Sequence, residues 1–234
     1  MLDELQNAGQ ATLDALPQSS IINHHSFLDR ADALAAIHRQ ISGCRRCAEA
    51  GFFVGAPVVA GQWAARVMLV GQAPSEAGAQ YNRPFAWHAG RPRPRIWDWL
   101  AEAGWAEDEF RALAYLTPVT KCYPGRAASG SGDRRPSATE VKLCASYLDR
   151  ELEMVDPDLI ITVGTLALER LVGRVRLDDM VGQALTADIA GRRRTLVPLP
   201  HPSGVSRWLN EPANQAKLRQ ALETLRQVRA ELGV

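Results

Sequence analysis

The sequence predicts an α/β protein, a single-domain three-layer α/β/α sandwich around a central, mostly parallel, four-stranded sheet. Three observations predict it. Arg66 to Val70 (RVMLV), Leu159 to Val163 (LIITV) and Leu196 to Leu199 (LVPL) have the length and branched apolar content of buried strands. Two of these runs end at a glycine, Gly71 and Gly164, and the third at Pro200. Between them apolar residues recur at helical spacing, and strand–helix alternation builds a parallel sheet covered on both faces.

Taken in order, residues 2–16 read as a weakly amphipathic helix ended by Pro17. A second helix is expected from near Phe27, with Leu34, Ile37 and Ile41 on one face. Residues 1–43 are thus expected to form an N-terminal helical extension and 44–234 the main domain. After the RVMLV strand, Ile96, Leu100 and Ala103 mark a helix. Tyr115 to Lys121 reads as the fourth strand, which Pro118 confines to an edge or bends. Ser137 to Glu140 is a capping box that opens a helix with Val141, Cys144, Leu148, Leu152 and Val155 on one stripe. Arg126 to Pro136 reads as a mobile polar loop. Gly191 reads as a hairpin turn carrying Arg192, Arg193 and Arg194 into solvent. Leu218, Leu222, Leu225 and Leu232 give the last helix its core face.

The 234 residues carry 27 Lys and Arg against 26 Asp and Glu, a net charge of +1. No bulk positive field advertises a nucleic-acid partner, so any such footprint is a local patch. No apolar run approaches the length of a membrane span, and MLDELQNAGQ lacks the pattern of a signal peptide. Four cysteines are too few for a disulfide-dense scaffold, so the expectation is a cytoplasmic protein whose spaced cysteines bind metal.

Ligands of open α/β sheets bind beyond the carboxyl ends of the strands. That rule selects three turns: Gly71-Gln72-Ala73-Pro74, Lys121-Cys122-Tyr123-Pro124 and His201-Pro202-Ser203-Gly204. Cys44 and Cys47 form a C-x2-C pair, with Cys122 and Cys144 far downstream. Four thiolates suit an iron–sulfur cluster or Zn²⁺, and spacing alone leaves both open.

In this order, with the cysteines threaded between them, the motifs V-G-Q-A-P-S, N-R-P-F and L-P-H-P-S-G-V-S-R-W resemble the uracil-DNA glycosylase superfamily. The chain is similar to a divergent member of its iron–sulfur (family 4-like) branch. The resemblance implies that Phe85 stacks on a flipped base and that the backbone at Gln72 and Ala73 meets the base's carbonyl edge. It implies that His201 is the catalytic electrophile and that Ser203 and Gly204 grip a DNA phosphate. It places the wedge residue at Val205 and a backbone or groove contact at Arg207. It also implies that Cys44, Cys47, Cys122 and Cys144 ligate a [4Fe–4S] cluster, with zinc the alternative.

The departures have consequences. Gln72 stands for the family's Glu, and Ala73 for the water-activating Asp of other members, so Gln72 is the candidate to orient the water. Pro118 stands where the family's Asn reads the uracil edge, which implies relaxed specificity toward other deaminated bases. The loop after Cys122 carries no histidine of the kind with which a related subgroup traps its product, so turnover is expected. A strip drawn from Arg91, Arg93, Arg95, Arg134, Arg135 and Arg207 is the expected DNA contact. The expected activity is hydrolysis of the N-glycosidic bond of uracil in DNA by a monomer, initiating base excision repair, with other deaminated bases as further candidate substrates. A non-catalytic binder of damaged DNA and an iron–sulfur redox module are the rivals. An excision assay on a uracil-containing oligonucleotide separates them.

Overall fold

All four expected strands form, and a fifth joins them. The computed structural model describes residues 18–130, 132–203 and 207–234. The helix expected over residues 2–16 lies outside the described residues.

Helix α1 (Gln18–Ser42) starts earlier than the apolar spacing suggested and is followed by the short α2 (Arg46–Glu49). Then come β1 (Val67–Gly71), α3 (Glu76–Tyr81), α4 (Ile96–Glu102), α5 (Glu107–Leu113) and β2 (Ala114–Pro118). The second half holds α6 (Ala138–Val155), β3 (Leu159–Val163), α7 (Thr165–Val172), α8 (Leu177–Met180), β4 (Leu185–Ile189), β5 (Arg192–Leu199) and α9 (Pro212–Leu232). The sheet order is β2-β1-β3-β5-β4, parallel except for the antiparallel β4–β5 hairpin. The sheet therefore has five strands, not four. Its extra strand β4 alternates half-buried and exposed residues over most of its length, unlike the wholly buried runs of β1 and β3. β2 lies at an edge, where the missing N–H of Pro118 is tolerated.

Strand periodicity sorts the core into two layers. Val67, Leu69, Leu116, Leu159, Ile161, Val197 and Leu199 pack with α4, α5 and α9. Met68, Val70, Tyr115, Ile160 and Leu196 face α1, α6 and α7 on the other side. α6 begins as its capping box requires: Glu140 N–H donates to Ser137 Oγ, and Ser137 N–H donates to Glu140. Leu34, Ile37 and Ile41 of α1 are buried, and Nε2 of His38 meets the Tyr115 hydroxyl at 2.8 Å, so this helix is seated on the sheet.

Two local readings change. Ala190 and Gly191 both have positive φ, as a two-residue hairpin turn requires, but only Arg192 and Arg193 of the following arginines are exposed. Arg194 is buried at 3% exposure, donating to Asp156 and to the carbonyls of Pro157 and Ile189. The second change concerns the segment around Arg126, Asp133 and Arg134, where the described residues are tied rather than loose. Arg134 forks onto both Glu140 oxygens at 2.7 and 2.8 Å, and Arg126 pairs with Glu76 and bridges to Asp133.

Candidate active site and cysteine pocket

The sheet register puts the singled-out turns on one rim. Gly71 pairs with Pro118, and Val163 with Leu199, so the exits of β1, β2, β3 and β5 open side by side. The β1–β2 pairing continues one step past the strands: Val119 N–H donates to Gly71 O and Thr120 N–H to Gln72 O. The Gln72 carbonyl is thereby engaged, while its half-buried side chain stays at the rim. Ala73 is half-buried, Pro74 is buried, and Ser75 caps α3 by accepting from Gly78 N–H at 3.0 Å.

Phe85 comes to this rim across a glycine. A Cβ on Gly71 would stand 3.0 Å from the tip of the Phe85 ring, so β1 must end in a residue without a side chain. Phe85 has φ 53, a conformation that costs an aromatic residue steric strain. Its neighbours hold it there. The indole N–H of buried Trp97 donates to the Phe85 carbonyl at 3.1 Å, and the two rings meet edge to face at 6.2 Å. Arg111 donates to the Pro84 carbonyl at 3.0 Å and lies 3.9 Å over the Trp97 ring.

His201 sits at the exit of β5 against Gly164. A Cβ on Gly164 would meet the histidine at an ordinary 3.4 Å, but the φ of 84 at this position, where α7 opens, suits glycine. Ser203 N–H donates to His201 Nδ1 at 3.2 Å. A nitrogen that accepts carries no proton, so in the neutral ring the hydrogen is on Nε2. Burial lowers the His201 pKa, which keeps the ring neutral at neutral pH. The ring is therefore a neutral donor through Nε2. Gly204 and Val205, expected at a phosphate and in the base stack, lie outside the described residues. Arg207 is exposed just before the 3-10 turn Trp208–Asn210.

Beneath Pro118 lies a network that the spacing of motifs did not reveal. Lys121 Nζ donates to the Pro118 carbonyl at 2.7 Å, to Thr117 Oγ1 at 2.6 Å and to Glu151 at 2.6 Å. Thr117 donates to Glu151 at 2.7 Å. Both ends of the ion pair are about 2% exposed. Pro118 thus presents no N–H, no polar side chain and a carbonyl already engaged from below.

The four cysteines are free thiols lining one pocket with Thr120, Lys121, Val54, Leu143 and Tyr147. Cys44 and Cys47 follow α1, Cys122 follows β2, and Cys144 lies within α6. Lys121 N–H donates to Cys144 Sγ at 3.3 Å. Burial, then the neighbouring Cys144, pushes the Cys47 thiol up to about 11. Burial and the other three cysteines push Cys122 up to about 12. Thiols that raise one another in this way ionise together only around a cation. Among the described residues, no three His, Cys, Asp or Glu side chains converge on a single-ion site.

The expected arginine strip is smaller than the sequence suggested. Arg93 is taken by Glu107 and Asp98, Arg134 by Glu140, and Arg135 faces Glu169 at 3.7 Å. Arg91, Arg95 and Arg207 are exposed and have no ion pair among the described residues. Trp97, Arg111 and Glu151 were not singled out. Gly164 and Lys121 stood out only as a strand end and as part of a strand-exit turn, with no partner assigned to either.

Residues 59–226 match the family described as the uracil DNA glycosylase superfamily. The chain is 29% identical over 194 residues to the type-4 uracil-DNA glycosylase of Pyrobaculum aerophilum, covering 81% of this chain and 91% of that protein. With the type-4 uracil-DNA glycosylase of Archaeoglobus fulgidus it shares 26% identity over 183 residues, 74% of this chain and 83% of the relative. It is also 28% identical over 182 residues to the type-5 uracil-DNA glycosylase of Pyrobaculum aerophilum, 72% of this chain and 73% of that one.

Proposed function

The chain belongs to the uracil-DNA glycosylase superfamily, and we propose that it hydrolyses the N-glycosidic bond of uracil in DNA as the first step of base excision repair. The observation that carries this reading is the neutral His201, held with Nε2–H as its donor by the Ser203 N–H on Nδ1. As the glycosidic bond breaks, negative charge grows on the departing base and positive charge on the sugar. A fixed donor at the base oxygen acts only where that charge develops, and such a donor contributes about 2.7–4 kcal/mol. Phe85 supplies the face on which the flipped base stacks, and Ser203 and Arg207 contact the DNA backbone. Ala73 offers no base for the attacking water. Gln72, with its half-buried side chain on the rim, orients the water instead, which suffices when the sugar cation forms before attack.

The cysteine set fits a bound [4Fe–4S] cluster: four thiols share one pocket, and an N–H already points at one sulfur. Zinc, the alternative, would need the thiols to draw in around a single ion, an arrangement not seen among the described residues. When bound, such a cluster supplies a structural cross-link. Residues 44–234 form the catalytic domain and 1–43 an extension to it. The enzyme acts as a cytoplasmic monomer, a reducing compartment keeping its thiols available as ligands. No helix among the described residues is long and apolar enough to cross a membrane.

The test is single-turnover excision from a uracil-containing oligonucleotide, read by alkaline strand cleavage. Wild-type protein is expected to cleave. His201→Ala should lower the rate by roughly 10²–10³ with DNA affinity nearly intact. An unchanged rate would remove His201 from the mechanism.

A further inference from the structure

Phe85 is the one aromatic residue among the described residues with a left-handed backbone, and the groups that hold it there belong to no other part of the site. Three arginines reach a single carboxylate on α5. Glu107 takes Arg111 at 2.8 Å and Arg93 at 2.9 Å, with Arg83 at 3.9 Å. Arg83 and Arg93 flank Phe85 in sequence, so Glu107 ties down both ends of the segment that carries it. From this anchor Arg111 does two things: it donates to the Pro84 carbonyl and covers the Trp97 ring. Trp97 in turn spends its only side-chain donor on the Phe85 carbonyl. The bonds to residues 84 and 85 are to main-chain oxygens, so they fix backbone direction and leave the exposed part of the Phe85 ring unobstructed.

We infer that Glu107, Arg111 and Trp97 form a brace that holds Phe85 in its strained conformation before DNA arrives, and that they are positioning residues for base capture. The inference rests on the reading of Phe85 as the base platform. A strained backbone persists only where its surroundings over-determine it, and it concentrates where geometry must be set in advance. An unbraced Phe85 would relax toward negative φ and move its ring off Gly71. The base would then meet a platform that must first be rebuilt, and capture would weaken while the bond-breaking step at His201 stayed as it was.

A double-mutant cycle on the full chain tests this, using single-turnover excision of uracil at varied enzyme concentration. Arg111→Met keeps an apolar side chain beside Trp97 but loses the guanidinium over its ring and the bonds to Pro84 and Glu107. Trp97→Phe keeps a ring but loses the indole donor. Each should weaken half-saturation by roughly three- to tenfold with little change in the maximal rate. In a Phe85→Ala background each should have almost no further effect, because the brace acts only through Phe85. Arg111→Lys, which can still reach Pro84, should recover part of the loss. Equal losses with and without Phe85, or a loss in maximal rate alone, would overturn the brace, as would wild-type saturation in both variants. If Phe85→Ala alone has no effect, the platform reading itself fails, and that outcome is distinct from additivity. Should Trp97→Phe melt at assay temperature, Arg111→Met, whose side chain is at the core's margin, carries the cycle alone.

Discussion

At the scale of single residues, the proposed chemistry turns on what Nδ1 of His201 accepts. The Ser203 N–H makes protonation of that nitrogen costly, and burial acts in the same direction. The pKa of the folded ring therefore lies below its ordinary value of about 6.5. Stability linked to this group is complete above that pH and is lost as pH falls toward the folded pKa. The same sign governs catalysis. Single-turnover excision should stay flat from neutral pH to below 6.5 and decline only at more acidic pH, and an acid limb centred above 6.5 would contradict a neutral donor. On the proposed reading, specificity is set at the far end of the rim, where β2 forms the edge of the sheet. Pro118 has nothing to offer a base edge, Thr117 is committed to Glu151, and Thr120, which also lines the cysteine pocket, has a buried hydroxyl with no partner among the described residues. A single hydroxyl cannot both donate and accept across a base edge as the missing amide would. A site without directional bonds keeps only the weaker selectivity of shape. On a panel of single-lesion oligonucleotides, hypoxanthine or xanthine should be excised at a measurable fraction of the uracil rate. Discrimination of about 10⁴-fold, typical of hydrogen-bonded readout, would mean that another group reads the base.

At the scale of elements, the end of β2 depends on an ion pair with almost no access to water. Lys121 and Glu151 come from a strand exit and from α6, and each satisfies the other along with Thr117 and the Pro118 carbonyl. Removing one partner strands the other charge in the core. Lys121→Met should cost about 3–5 kcal/mol in denaturant unfolding, and Lys121→Met with Glu151→Leu should recover much of it. Full stability in the single variant would mean that the pair does not hold the end of β2. This pair also marks where the sequence ceased to be legible. Buried strands, the capping box of α6 and the apolar stripe of α9 announce themselves because each is a local repeat or a local hydrogen bond. β4 did not, since its alternation is that of a half-exposed hairpin arm and resembles a loop. Arg194 looked like its two neighbours, and only the fold brings Asp156 and Pro157 to it. Of the candidate site, the motif residues were legible because they stand at strand exits. Trp97, Arg111 and the pairing of Lys121 with Glu151 were not, because each depends on a partner distant in sequence whose position only the fold supplies.

At the scale of the whole molecule, the cysteine pocket joins segments that the sheet alone does not hold together. Cys44 and Cys47 lie just past α1, Cys122 at the exit of an edge strand, and Cys144 in the helix that α1 packs against. Without a cross-link, α1 is held by one apolar face, by the His38–Tyr115 contact, by the hydrogen bonds of Tyr147 and Arg150 to Gln40, and by Arg30 over Trp63. A group binding all four thiolates closes loops between these segments, and because no such site exists in the unfolded chain, its binding energy is folding energy. The effect is local first and global second. Cys44→Ser removes one ligand from the side of the pocket nearest α1. On the cluster reading the purified wild type should be brown and contain iron, and the variant should lose both and melt roughly 5–15 °C lower, the range for a cross-link of ~2–4 kcal/mol in a domain of this size. Amide exchange supplies the decisive pattern. Protection in α1 and at the β2 exit should fall well before that of β1 and β3, whose buried runs are paired on both edges. A colourless wild-type protein with stoichiometric zinc would leave the cross-link in place but change its metal. Unaltered melting and exchange in Cys44→Ser would show that the sheet and helices hold this end of the molecule without the pocket, and the cross-linking role would be lost.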